Sequence, residues 1–460
     1  MADESQTIRG INWRETFPFT HLFRTFRIAV HPSKLILGLL LIFSLYAGGK
    51  ILDAIWPQSS LPGAYDIQQY EASRWQRAAG YGVDYDLLAQ QAAFPGPPTG
   101  ISNEFFHYEI VQASSVMRST LYANWPQVIH GVTNFLIIGP TWLARAHTVY
   151  CVLFAAVFLL AWAVFGGAIS RIAAVHVARD EKISLRQAVS FSCGKILSFI
   201  FAPLIPIIII LVIGIALAVG GLLFYVPWVG PIVFACLFIG GLLGGFVMTL
   251  VATGMIGGLN LMYPTVAVEG SDSFDAISRS FSYVFARPWR MLFYSAVALL
   301  YGAICYAFAH WFVFVMLKLT HLFVSWLLRG QPGFYFPQIW PAPEVQSLLF
   351  RPNFDALKGT ESLAASIIRL WIDLVIAMLG AFVISFYFTA STIIYYLMRQ
   401  EVDATELDDV YVEETDEDLN DAPASARPTE PEVATEVIVA TETIIMPIPE
   451  APTPEPPASS

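Results

Sequence analysis

Lys50, Asp53, His310, Lys318 and Asp373 are the ionisable side chains that sit in or at the ends of long apolar stretches of this chain. Proton or ion chemistry inside a bilayer would have to use such groups, facing one another. All five lie near the ends of those stretches, where long side chains reach the headgroup layer, so interfacial anchoring accounts for them equally well. His310 and Asp373 approach the same side and form the best-placed pair for a polar contact. No H-E-x-x-H, G-x-S-x-G or G-x-x-x-x-G-K-[ST] pattern occurs, and no glycine loop is placed to cradle phosphate. Cys151, Cys193, Cys236 and Cys305 show no C-x-x-C spacing and fall in or beside apolar segments, which reads as small buried hydrophobes. The expectation is a non-enzyme with no catalytic residue, no metal and no cofactor.

Six apolar stretches position these groups: Leu35–Trp56, Thr148–Ser170, Ile207–Tyr225, Ile232–Leu261, Met291–Val315 and Leu370–Met398. Each is long enough to cross a hydrocarbon core of about 30 Å. Hydrophobic residues make up 56% of the chain and charged ones 13%, against roughly 25% charged in a soluble domain, so a soluble fold would lack a surface. The fold class is therefore all-α, a polytopic transmembrane helical bundle of about six membrane-spanning helices, with interfacial amphipathic helices and a disordered acidic C-terminal tail. Residues 1–34 form an amphipathic leader with no small-residue cleavage signature after it, so the helix from Leu35 is expected to be retained.

The net charge of −11 divides unevenly, because residues 401–460 hold seventeen Asp or Glu and one Arg, Arg427, leaving residues 1–400 with +5. An acidic tail repels phosphates, which argues against a nucleic-acid partner. Basic residues next to the helix ends set the orientation. Arg9, Arg14, Arg24, Arg27, Lys34, Arg171, Arg179, Lys182, Arg186, Lys195, Arg279, Arg287, Arg290 and Arg399 gather on one side if both termini are cytoplasmic. The expected location is a bacterial inner membrane, crossed six times.

Three times the chain presents an amphipathic helix, a basic turn and then an apolar run. In the last copy Phe274, Ile277, Phe281, Val284 and Phe285 share one face, and Arg287, Pro288, Trp289 and Arg290 lead into Met291. In the first, Leu22, Phe23, Phe26 and Ala29 form the face, and His31-Pro32-Ser33-Lys34 precede Leu35. The middle copy carries a capping box, Ser184 with Gln187, then Ser190-Phe191-Ser192 and Lys195, with Pro203 and Pro206 expected to break the helix so that the crossing starts at Ile207. Each apolar face is expected among acyl chains, with Arg27, Lys34, Lys195, Phe281, Arg287, Trp289 and Arg290 at the membrane interface.

Pro227-Trp228-Val229-Gly230-Pro231 is short enough to force an antiparallel hairpin between the third and fourth crossings. Gly240/Gly244 and Gly254/Gly258, with Gly241/Gly245, recur at spacings of four and leave one face of the later helix nearly bare for helix packing. That contact lies within the protomer or in a homodimer. Residues 57–147 read as a mostly helical extracytoplasmic part, divided at Pro95-Gly96-Pro97-Pro98 and ending in the short apolar run Val128–Ile138; 316–369 read as a Pro- and aromatic-rich cap. Residues 399–460 form the acidic tail, whose islands Val433–Val439 and Ile444–Ile448 are able to add as short strands to a cytoplasmic protein.

The units around Ser184–Lys195 and Gly270–Arg290, with Ser391-Thr392-Ile393-Ile394-Tyr395-Tyr396-Leu397 running into Glu401-Val402-Asp403-Ala404-Thr405-Glu406-Leu407-Asp408, carry a resemblance over most of 170–410. The chain resembles polytopic bacterial inner-membrane proteins of the planctomycete type and, distantly, the membrane domain attached to some glycerophosphodiester phosphodiesterases. The resemblance implies a multi-spanning protein without an assigned reaction; the soluble phosphodiesterase domain has no counterpart here. The expected function is a scaffold or membrane-organising or sensing protein with membrane lipids as partners. The alternative is a transporter or channel subunit for a lipid or other apolar solute, which would need a groove along Ile232–Leu261 lined by a polar group.

Overall fold

Three of the apolar stretches belong to helices far longer than a bilayer is thick, and this excess length builds the rest of the molecule. The computed structural model describes residues 17–57, 66–79, 100–328, 336–345, 348, 350, 352–354, 357–406 and 408–411. Among them every regular element is helical, and six helices are long and apolar enough to cross a membrane. The protein is an all-α, multi-pass transmembrane bundle.

A 3-10 turn at Pro18–Arg24 leads into α1 (Thr25–Ala29) and the first crossing, α2 (Pro32–Ile55), which starts at a proline because its missing N–H would be unpaired there anyway. After α3 (Asp66–Ala79) come α4 (Ile101–Leu121), α5 (Trp125–Thr133), a π-helical turn at Asn134–Ile138 and α6 (Gly139–Ala146). The second crossing joins α7 (Thr148–Ala161) through a π-helical turn at Trp162–Gly166 to α8 (Gly167–Arg179). Next are α9 (Leu185–Gly194), α10 (Ile196–Gly221), α11 (Gly230–Glu269), α12 (Ser273–Ala286), α13 (Pro288–Leu328), the short α14 (Phe336–Ile339) and α15 (Thr360–Asp403). At 1.5 Å per residue α11, α13 and α15 are roughly 60 Å or more in length, about twice the hydrocarbon thickness.

The excess divides between two ends. We call basal the end at which α2 begins and α15 finishes, and distal the opposite one. At the basal end α1, α8, the last turns of α11 and α15, and α12 share a core with Leu22, Ala174, Leu261, Tyr283 and Tyr395–Met398. At the distal end α4, α6 and the start of α7 close around Tyr108, Trp142 and Tyr150, while α13 and α15 hold Trp340 and Leu348 against Leu317 and Ile372.

Several expectations change here. The crossings extend beyond their apolar cores, because the added turns bury one face against neighbours instead of meeting water; the helix expected to end at Met398 continues to Asp403, and α13 reaches into the expected cap. Pro203 and Pro206 do not break α10, which is helical from Ile196. In an apolar surround a break would expose more unpaired backbone than the two lost hydrogen bonds do. Cys193 and Cys236 are exposed on the bundle surface rather than buried, whereas Cys305 is buried. The expected divider at residues 95–98 and the tail from Val412 onward lie outside the described residues.

One close backbone contact lies where no glycine pattern indicated it. A Cβ on Gly38 of α2 would stand 2.8 Å from the Ala381 carbonyl oxygen and 3.1 Å from its Cα, so α2 and α15 meet backbone to backbone there.

Candidate functional site

The expected pair of ionisable groups is not brought together. Asp373 pairs with Arg369 one turn earlier on α15, at 3.4 Å, and the His310 ring lies tilted beside that of Tyr306. The i, i+4 neighbour is always within reach, whereas a contact across two helices needs both faces to turn inward. The other polar groups of the apolar stretches are likewise used locally. Asp53 accepts from the Ser102 amide and hydroxyl and from Tyr150, which caps the start of α4; Lys50 lies over the Tyr46 ring, and Lys318 Nζ donates to the Pro343 carbonyl.

The glycine face divides. Nothing stands beside Gly240, and Gly244 meets the tips of Leu217 and Ile213 on α10. Gly254 and Gly258 instead receive α12: a Cβ at Gly254 would fall 2.8 Å from the Phe281 ring, and one at Gly258 would fall 3.3–3.4 Å from Ser280. This overturns the picture of α12 lying with its whole apolar face among acyl chains. Ser280, Tyr283 and Val284 are buried against protein, Phe281 is half-buried, and Phe274 and Phe285 remain outside. Likewise Ser192 of α9 donates to the Ala163 carbonyl, and Phe26 of α1 packs edge-on against Phe308 and Phe382. An amphipathic pattern fixes that a face is covered by apolar matter, and a glycine groove is as apolar as lipid.

Of the residues expected at the interface, Arg287 and Trp289 are exposed and Lys195 is half-buried at the end of α9. Arg27 lies 3.8 Å from Asp180, and Arg290 pairs with Glu401 at 2.5 Å. Lys34 departs most from expectation, since its side chain is wholly buried instead of reaching the headgroups.

The densest polar constellation lies at the basal end, where α8, α11 and α15 hold residues 408–411 while α12 and α13 hold the last turn of α15. Glu269, the last residue of α11, accepts from Arg279 on α12 at 2.9 Å and from the Tyr395 hydroxyl of α15, and Arg399 of α15 approaches it at 3.4 Å. Arg399 also forks onto Asp409, reaching its carboxylate at 2.6 Å and its carbonyl at 2.8 Å. From α8, Arg171 donates to the carbonyls of Ala267 and Tyr411, each at 2.8 Å, with its guanidinium 4.4 Å from the Phe191 ring centre. The Tyr411 amide donates to the Val268 carbonyl at 2.7 Å, and its ring lies on Gly270. Gly270 is required there twice, because its φ of +63° disfavours side chains and a Cβ would meet the Tyr411 ring at 2.7 Å. Tyr283 and Tyr294 donate to Asp403 and Glu401. Burial, then the adjacent Asp403, holds the Tyr283 hydroxyl above its ordinary range.

Charge-assisted, partly buried bonds of this kind position chains; the carboxylates named here all have donors. The sequence reading placed Arg399 in a basic cluster and Glu401 onward in the tail, and so missed the clamp. The available signal was a Tyr395/Arg399 spacing of four on a helix end with acidic residues directly after it.

A second buried network sits at the distal end. Glu71 of α3 accepts from Asn134 at 2.6 Å and from Tyr108 at 3.0 Å, with His130 at 3.9 Å. Nearby on α4, burial raises the Glu109 carboxyl to about 8; burial and then Asp66 raise Glu104 to about 7. A carboxyl whose folded pKa lies above its unfolded value of about 4.3 binds its proton better in the folded state. Its contribution is therefore complete below about pH 4.3 and is lost as pH rises through about 8. Glu109→Gln is expected to flatten that decline, so the variant should melt higher than the parent at pH 8.5 and not at pH 4.5, as detergent-phase melting curves at the two pH values would show.

Among the described residues no group of three or more His, Cys, Asp or Glu is placed to hold a metal ion. No protein-family model matches the chain, and neither the curated proteins nor the solved structures compared with it give a match.

Proposed function

We propose that the protein is a non-enzymatic scaffold of a bacterial inner membrane, one that fixes the root of its acidic C-terminal segment to a rigid membrane body and offers that segment to cytoplasmic protein partners. The observation that carries this reading is the clamp on residues 404–411. A chain that merely ended in a solvated tail would need no arginine from α8 and another from α15 to hold its first residues. Arg171 of α8, the end of α11 and Arg399 of α15 all hold residues 408–411, so the anchoring draws on helices far apart in the chain.

The basal end holds Arg24, Arg27, Arg171, Arg179, Lys182, Arg186, Lys195, Arg279, Arg287, Arg290 and Arg399, and the positive-inside rule then favours a cytoplasmic basal end. On this orientation Glu71, Glu109 and their neighbours face the periplasm. The acidic segment, at −16 over residues 401–460, suits a partner with a basic surface, drawn in by long-range attraction that salt weakens.

Sidedness is tested by single cysteines in a background lacking Cys193 and Cys236, the exposed native thiols. Cysteines at Ser278 and Ser425 should react with a membrane-impermeant reagent only from the cytoplasmic side, and one at Gln69 only from the periplasmic side. Labelling of Gln69Cys together with Ser425Cys from one side would contradict the topology. The scaffold reading itself is tested by in-cell photo-crosslinking from residues 413–440. Discrete protein adducts that vanish when residues 412–460 are removed are expected, and adducts to lipid alone would overturn the reading.

A further inference from the structure

A buried lysine at the first turn of a crossing helix marks a second feature, separate from the clamp. Lys34 is 0% exposed, and its Nζ has no hydrogen-bond partner in the protein. Its charge acts on two imidazoles, His31 one turn before it and His176 on α8, whose rings lie edge to face at 6.3 Å. Nδ1 of each imidazole is also buried and without a partner. His176 Nε2 is committed to Asp180 at 3.4 Å, and that carboxylate is drawn away by Arg24 and Arg27 at 3.9 and 3.8 Å. Lys182 adds a further positive field at His31, whose pKa burial, Lys34 and Lys182 all lower.

The Lys34 ammonium, a buried donor without an acceptor, thus lies with two buried imidazoles in a net positive surround at the first turn of a crossing helix. A desolvated ammonium is stable only with a hydrogen-bonded anion or without its proton. Beside it runs an apolar groove of about 280 Å³. The groove starts at Val30 and Leu35, the chain neighbours of His31 and Lys34, and continues along Ala309 and Phe312 of α13 and Met378 and Leu379 of α15.

We propose that Lys34 and His31, with His176 positioning the His31 ring, bind the phosphate of a membrane glycerophospholipid, with one acyl chain lying in the groove between α1, α2, α13 and α15. The Lys34 ammonium and the His31 N–H donate to the phosphate oxygens, His176, held by Asp180, fixes the His31 ring edge to face, and the glycerol backbone leads toward Val30 and Leu35. This site does not depend on the clamp or on the role of the acidic segment.

The test uses the full chain in detergent, titrated separately with dioctanoyl phosphatidylglycerol, dioctanoylglycerol and inorganic phosphate, with occupancy read by native mass spectrometry. Phosphatidylglycerol should bind, and dioctanoylglycerol should bind at least tenfold more weakly. Lys34→Met, which keeps the site apolar and filled, should weaken phosphatidylglycerol at least tenfold, and His176→Gln should weaken it several-fold. Ala309→Phe, which fills the groove, should weaken phosphatidylglycerol and leave inorganic phosphate unchanged. If Lys34→Met does not fold, the His176→Gln and Ala309→Phe arms decide. Binding of phosphatidylglycerol unaffected by either of them would overturn the proposal. Inorganic phosphate binding as tightly as the lipid would assign the site to free phosphate and overturn the lipid.

Discussion

Arg399→Ala is expected to destabilise the solubilised protein by roughly 3 kcal/mol and to free residues 404–411 from the body while the crossings stay helical. The side chain is 10% exposed and faces a Glu269 carboxylate of equal burial, and removing one partner of a buried pair leaves the other charge inadequately compensated. Two bonds to Asp409 go with it. Arg279 and Tyr395 still serve Glu269, which keeps the loss at the lower end of the range for such pairs. Arg399→Lys should recover part of the stability and little of the anchoring, because a single Nζ must replace two separate guanidinium nitrogens, one on the Asp409 carbonyl and one on its carboxylate, while also facing Glu269. Melting curves with limited proteolysis check both parts. A variant that melts like the parent and keeps 404–411 resistant would mean that the arginine is dispensable.

Gly258→Leu is expected to cost roughly 1–3 kcal/mol, and Gly240→Leu close to nothing, although the two glycines belong to the same repeating pattern on one helix. At Gly258 the new side chain meets the Ser280 backbone, and α12 is held there from its other side by Tyr283 and Arg279. At Gly240 no neighbour stands within 4 Å. Gly244→Leu falls between them, since the Leu217 and Ile213 tips beside it can turn away. Denaturation in detergent and particle mass from light scattering give the ranking. Equal losses at both sites would contradict the division of the glycine face, and a halved mass for Gly240→Leu would assign that part of α11 to a dimer.

The bundle was legible in the sequence because burial in lipid leaves no alternative to helices of about twenty apolar residues, and the six stretches stand out on composition alone. Their ends were not legible. Tyr395, Tyr396 and Arg399 look like the polar exit of a crossing, and only the packed structure shows Tyr396 donating to the Ala174 carbonyl and Arg399 turned inward. The same ambiguity applies to α12. A stripe of Phe281 and Val284 announces an apolar cover, but whether lipid or the glycines of α11 supply it depends on which helices are neighbours. His310 and Asp373 show the converse, since proximity along a pattern does not bring side chains on different helices into contact. Lys34 read as a snorkelling lysine because its position at a helix start suits one, and nothing local records that His176 of α8 stands near it.

Hydrogen exchange in lipid nanodiscs measures directly whether the root of the acidic segment is part of the folded body. The Tyr411 amide, bonded to the Val268 carbonyl, and the peptide spanning 404–411 should exchange slowly in the parent protein. That protection should disappear in Arg171→Ala and in Arg399→Ala, with α13 unchanged in both. Complete exchange of 404–411 in the parent at the earliest time point would contradict this, because Asp409 and Tyr411 would then not be held by Arg399, Arg171 and Val268.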